Sequence, residues 1–213
     1  MHTFFMADAH LGHANIIPIA GRPWLRDGDL TEPFDRSRVD EAPKWVSPEI
    51  PMHRAIEMSG TIINNINKDC DDNDKLIHVG DWCFTKSERG VACPKITAQE
   101  WEEEVRPDVI HVMGNHDKHN GVKSAIHSLV CRLGQFNVIV QHRPPWDVEE
   151  HLPPLPTVGI SAYVCGHVHT AFDVAYHNGL PVINVGVEVN NYRPVRQDFL
   201  INKIHQAKRD RKK

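Results

Sequence analysis

Aspartate, asparagine and histidine recur in this chain in small packets, and two packets hold a pair two residues apart. Asp8 and His10, and later His167 and His169, stand in this i, i+2 relation. On extended backbone that spacing turns both side chains to one face, where they can meet a single ion. Asp81 follows Gly80, Asn115-His116-Asp117 follows Gly114, and His142 stands before Arg143-Pro144-Pro145. Oxygen and imidazole donors without a thiolate select borderline divalent ions such as Mn, Fe, Zn, Co or Ni. They speak against calcium and against a structural cysteine–zinc site. The donors are too many for one ion, and a dinuclear centre with Asp81 as bridging carboxylate uses all of them. Any single packet is more commonly a polar turn or a satisfied histidine; the recurrence of one grammar is what points to chemistry.

That grammar is an apolar run, a sharp turn, then the packet. The runs at 3–7, 75–79, 109–112, 136–141 and 160–165 are rich in β-branched and apolar residues and read as buried strands. Gly80 and Gly114 supply freedom for a tight exit from the sheet. In α/β sheets function gathers at the carboxyl ends of strands, which is where all five packets fall. Further strands are expected at 180–186 and 199–204. Residues 52–67 carry Ile56, Ile62, Ile63 and Ile66 at helical spacing, as an amphipathic helix on a sheet would. Residues 97–105 read as a second helix whose Glu100, Glu102, Glu103 and Glu104 form a solvated face.

Between 15 and 51 the pattern is irregular, because Pro18, Pro23, Pro33, Pro43, Pro48 and Pro51 interrupt any long helix. A loop region of that length is either functional or a surface excursion. Within it, Arg22 of Gly21-Arg22-Pro23-Trp24 could fork onto a phosphate, although exposed arginine is the commoner fate. The acidic turn at 69–74 lacks the glycine and distal glutamate of an EF-hand.

Composition bounds the remainder. The 213 residues suit one domain, taken as 1–205, followed by a flexible basic tail at 206–213. A net charge of −4 gives no general attraction to nucleic acid or membrane. Five cysteines without a CxxC pair fit reduced thiols and a cytoplasmic setting. No secretory leader is expected, and no apolar run is long enough to span a bilayer. Fifteen histidines raise the expectation of metal binding.

In order along the chain, Asp8-x-His10, Gly80-Asp81, Gly114-Asn115-His116-Asp117, His142 and Gly166-His167-Val168-His169 resemble the five-motif signature of calcineurin-like metallophosphoesterases. The resemblance implies an α/β fold in which two mixed β-sheets pack as a sandwich flanked by helices. It implies that Asp8, His10 and His169 hold one metal and Asn115, His142 and His167 the other, with Asp81 shared. His116 would be the catalytic histidine that faces the phosphate, with Asp117 as its orienter. The cofactors would be two divalent metal ions, Mn foremost, with Fe, Zn, Co, Ni or Mg as alternatives. Such ions clamp phosphate oxygens and lower the pKa of water from about 16 toward about 7.

Departures narrow the branch. Trp82-Cys83-Phe84 follows Gly80-Asp81, and Asp117 follows Asn115-His116, unlike the serine/threonine protein phosphatases. The length leaves no room for the appended domain of recombination nucleases. The opening DAHLGHANI with GRPW resembles a small bacterial and phage branch that usually has Thr where Ala9 stands. That branch implies His13, Asn15 and Arg22 as substrate-side contacts. The expected function is hydrolysis of a small phosphoester, such as a nucleotide or cyclic nucleotide. The alternative is a nuclease or nucleic-acid end-processing enzyme, for which the tail is the sole argument. A non-catalytic scaffold would carry degenerate ligands, and none is degenerate here.

Overall fold

The computed structural model describes residues 1–30, 33–41, 49–85, 93–147 and 158–211. Pro43, Pro48 and most of the loop after His142 lie outside them. In chain order the described elements are β1 (Thr3–Met6), α1 (Ile16–Ile19), α2 (Met52–Asp69), β2 (Lys75–Val79), α3 (Ala98–Glu103) and β3 (Asp108–Val112). Then come β4 (Ser128–Leu133), β5 (Phe136–Gln141), β6 (Ala162–Cys165), β7 (Val174–His177), β8 (Leu180–Asn184), β9 (Val195–Arg196) and α4 (Gln197–Asp210).

The strands make two mixed sheets, one in the order β3-β2-β1-β9 and the other β4-β5-β6-β8-β7. β1, β2 and β3 run parallel in the first, and β5, β6 and β8 run parallel in the second. Side chains alternate across each strand. Phe5, Ile77 and Val79 therefore meet Val138, Val140, Val164 and Ile183 between the sheets. Phe4, Met6 and Leu76 turn the other way, onto Met58, Ile62 and Ile66 of α2. Ile56 is not part of that face: it is 41% exposed. No helix among the described residues is long and apolar enough to cross a membrane.

Two expectations fail at the carboxyl end. Residues 199–204 are not a strand but part of α4. Leu200, Ile204 and Ala207, at a spacing of four and then three, are the buried face, while Phe199 is 55% exposed. Leu200 and Ile204 join the core between the sheets, each contributing about 1.5–3 kcal/mol of apolar burial. Nor do residues 206–210 form a tail, since α4 runs on through Asp210. Lys208 Nζ lies 4.9 Å from the centre of the Phe136 ring, and Arg211 bonds the Gly179 carbonyl. The described part of the basic stretch is thus docked on its own molecule.

Candidate metal centre

The parallel register of β1, β2 and β3 brings their carboxyl ends to one edge, and β5 and β6 end beside them. The pairing continues past the strands: Asp8 N donates to Gly80 O at 3.0 Å, His10 N to Asp81 O at 3.0 Å and Gly166 N to His142 O at 2.9 Å. These bonds extend each sheet's own pairing to the point where the packets begin, and Ala7 N, which donates to Val185 O at 2.9 Å, joins the two sheets there. Two groups of facing donors result, Asp8 with His10 and His169, and Asp81 with His142 and His167.

Backbone conformation marks the same residues. Asp8 (φ 57°), His10 (φ 49°), Asp81 (φ 59°), His167 (φ 69°) and His169 (φ 47°) all adopt left-handed conformations. Such conformations are costly outside glycine and persist only where the surroundings enforce them. The glycines serve close approach. A Cβ on Gly80 would collide with the His142 ring, one on Gly114 with the Asp81 carboxylate, and one on Gly166 would stand 2.7 Å from Asp8 Oδ2.

Asp81 occupies the middle. Its Oδ1 accepts the His116 backbone amide at 3.0 Å, while Oδ2 faces His10 Nε2 at 3.6 Å and His142 Nε2 at 3.3 Å. Asn115 Oδ1 lies 3.0 Å from His142 Nε2 and so joins the second group. His142 Nδ1 donates to the Val79 carbonyl at 2.8 Å, which leaves Nε2 for the site. The His10 Nε2 atom is buried with no hydrogen-bond partner of its own, which is costly unless something occupies it. These converging nitrogens and carboxylates, with that orphan atom, fit divalent metal binding.

Charge in the site follows from burial and proximity. Burial, with the Glu188 and Asp81 carboxylates nearby, raises Asp8, and despite His142 and His169 its carboxyl is pushed up to about 6. Burial would also raise Asp81, but His142 and His10 outweigh it and hold the carboxyl well below its usual range. Burial would lower His142, yet the carboxylates of Asp81 and Asp8 drive it up to about 9. Burial, reinforced by His142 and Arg143, pulls His167 down to about 4.

Three expected roles need correction. Asp117 does not orient the His116 ring. Its Oδ2 accepts from Gly114 N (2.7 Å) and Asp81 N (2.9 Å), and its Oδ1 accepts from Trp82 N (2.9 Å). It is a backbone brace tying the ends of β2 and β3. Arg22 is not a substrate contact, because its side chain is 0% exposed and fully engaged within the protein. Asn15 is buried as well, at 7% exposure. Of the substrate-side candidates only His13 keeps an accessible edge: it is half-buried, stacks on Phe84 at 3.7 Å and sits 3.4 Å from His10 between their Nδ1 atoms. His116 is half-buried too, its ring 6.0 Å from that of His10 and 5.0 Å from Phe84.

Sequence reading passed over Glu188, Arg143, Asp147 and Phe84. His169 Nδ1 lies 2.9 Å from Glu188 Oε1, and His167 Nε2 lies 3.1 Å from Arg143 Nη1 and 3.3 Å from Asp147 Oδ2. For Glu188 a signal existed. The run at 180–186 ends in Gly186 with an acid two residues later, a sixth apolar run that closes on a turn and a polar donor.

Residues 52–207 match the family model of the calcineurin-like phosphoesterase superfamily domain. An uncharacterized protein of Methanocaldococcus jannaschii is 26% identical over 209 residues, covering 96% of this chain and 92% of the relative. The crystal structure of a protein of unknown function from Aquifex aeolicus superposes with a TM-score of 0.56 at 18% identity, covering 95% of this chain and 98% of that one. The chain belongs to the calcineurin-like phosphoesterase superfamily.

Proposed function

We propose that this member of the superfamily is a dinuclear metal-dependent hydrolase of a small phosphoester, with a nucleotide or cyclic nucleotide as the favoured substrate class. The observation that carries the reading is Asp81 Oδ2, which lies between His10 Nε2 at 3.6 Å and His142 Nε2 at 3.3 Å. Asp8, His10 and His169 would hold one ion, Asn115, His142 and His167 the other, and Asp81 both. Such a pair, Mn foremost, supplies charge neutralisation for the phosphoryl oxygens and acidifies water for in-line attack.

The chain's own residues do the rest. His116 stands at the accessible side of the site, where it can donate a hydrogen bond to a phosphoryl oxygen or a proton to the leaving oxygen. Its backbone amide on Asp81 Oδ1 couples its placement to the shared carboxylate. Asp117 holds the two strand ends at fixed separation through three amides. Phe84, only 3% exposed, supports His13 beside the opening. The five unpaired cysteines suit a reducing, cytoplasmic setting.

No observation favours the nuclease reading, since the described part of the basic stretch that suggested it packs against the protein. The test is to incubate protein loaded with Mn, Zn, Co or Mg with p-nitrophenyl phosphate, bis-p-nitrophenyl phosphate, a nucleotide panel and labelled oligonucleotides. Hydrolysis of small esters that stops on chelation and returns with metal is expected. Cleavage of oligonucleotides alone would replace the proposal with the nuclease reading. Two bound ions with no turnover of any ester would leave a scaffold.

A further inference from the structure

β8 ends at Asn184, and the short 3-10 turn Val187–Asn190 follows Gly186 and turns Glu188 inward. The Glu188 side chain is 2% exposed. Its Oε1 lies 2.9 Å from His169 Nδ1 and accepts from Arg22 Nε at 3.0 Å and Nη2 at 2.7 Å. The guanidinium spends its other donors on the backbone that carries the first ligand pair: Nη2 on Asp8 O at 2.6 Å and Nη1 on Ala9 O at 3.0 Å. One buried ion pair therefore touches the main chain of the Asp8–His10 turn and the ring of His169. Gly186 lets the chain pass close by, as a Cβ there would stand 2.9 Å from Asn184 Oδ1 and 3.2 Å from Asp8 Oδ2.

Stability is a poor reason for such an arrangement, because desolvating two charges commonly cancels their attraction. A carboxylate on the far nitrogen of a histidine has a more specific effect. It fixes which nitrogen carries the proton and so which one keeps a lone pair. We propose that Glu188, locked by Arg22, is the positioning residue of the Asp8–His10–His169 metal position. It holds His169 with its proton on Nδ1 and its Nε2 lone pair toward the ion. Arg22 holds the Asp8 and Ala9 carbonyls so that Asp8 and His10 meet the same point. The inference rests on the reading of Asp8, His10 and His169 as ligands. It assigns both members of the pair a role behind the ligands and none in contact with substrate.

The experiment is a titration of the full chain with Mn(II), wild type against Glu188→Gln, by calorimetry with metal analysis of the product. Gln keeps the shape and an acceptor but removes the charge. The expected result is two ions in the wild type, with one of them weakened by about 10–100-fold in the variant and the other unchanged. Unchanged affinity at both positions, or equal weakening at both, would overturn the positioning role. A wild type that binds no ion would instead refute the ligand reading on which it rests. Should Glu188→Gln fail to fold, the wild-type protein still decides. Histidine 15N spectra of the metal-free chain, with His169 assigned by its loss in His169→Gln, should show the Nδ1-protonated tautomer. An Nε2-protonated His169 would overturn the proposal.

Discussion

His167 and His169 lie two residues apart, each backed by an arginine and a carboxylate, yet the two settings are opposite. Arg22 and Glu188 behind His169 are 0% and 2% exposed, whereas Arg143 and Asp147 beside His167 are 27% and 48% exposed. A buried pair has no competing partners, and what it holds stays in one arrangement. An exposed pair contributes little to stability and trades partners with solvent. Arg143 Nη1 both donates to Asp147 Oδ2 at 2.9 Å and approaches His167 Nε2 at 3.1 Å, so side chains stand where that histidine would otherwise be open. On the proposed reading, the metal position at His169 is held by a buried pair, and the one at His167 is screened by Arg143 and Asp147. On that reading the two halves of the proposed centre divide the work, one anchoring and one adapting.

The largest effect should come from the residue common to both halves. Asp81→Ala is expected to release both ions and to lower turnover by about 10³-fold or more. Metal analysis that finds one ion at wild-type affinity would show that the halves do not share a wall. His116→Ala should leave both ions in place while kcat falls about 10²–10⁴-fold, the usual contribution of a positioned acid. Wild-type turnover in that variant would remove its role. The comparison itself is at stake in His169→Ala against His167→Ala. The first should leave only the weaker ion and the second only the tighter, with affinities about 10–100-fold apart. The reverse order would invert anchor and adapter.

The smallest effect is one of pH. In the metal-free protein burial opposes charge on His142, but Asp81 and Asp8 prevail and push it up to about 9. A histidine raised in the folded state stabilises fully below its unfolded value of about 6.5, and that contribution is lost as pH rises through about 9. The Tm of the chelated protein should therefore decline between those limits. Loading the adapting position near pH 8 should also release close to one proton, read by calorimetry in buffers of different protonation enthalpy. A flat Tm with no proton release would mean that His142 is already neutral and that this half needs no rearrangement.

What could be read from sequence depended on how local the cause was. β1, β2, β3, β5 and β6 were legible because each is a short apolar run ending at its packet, and the five packets do converge. The edge strands β4 and β7 were not, since half-exposed residues such as Val130 and Tyr176 dilute the pattern. α4 was misread because the short window over 199–204 opens on three apolar residues, as a strand does; the helical face becomes plain when Leu200 and Ile204 are continued to Ala207. Adjacency misled at Asp117, whose neighbour in sequence is His116 but whose partners in space include amides 35 and 36 residues away. Arg22 was beyond reach altogether, because its fate is decided by a glutamate 166 positions later.

The left-handed backbone at Asp8, His10, Asp81, His167 and His169 has an energetic consequence. Each such residue costs of the order of 1–3 kcal/mol relative to a relaxed conformation, and glycine would relieve most of it. The side chains at these five positions are therefore held against a backbone penalty that their contacts in the site must offset.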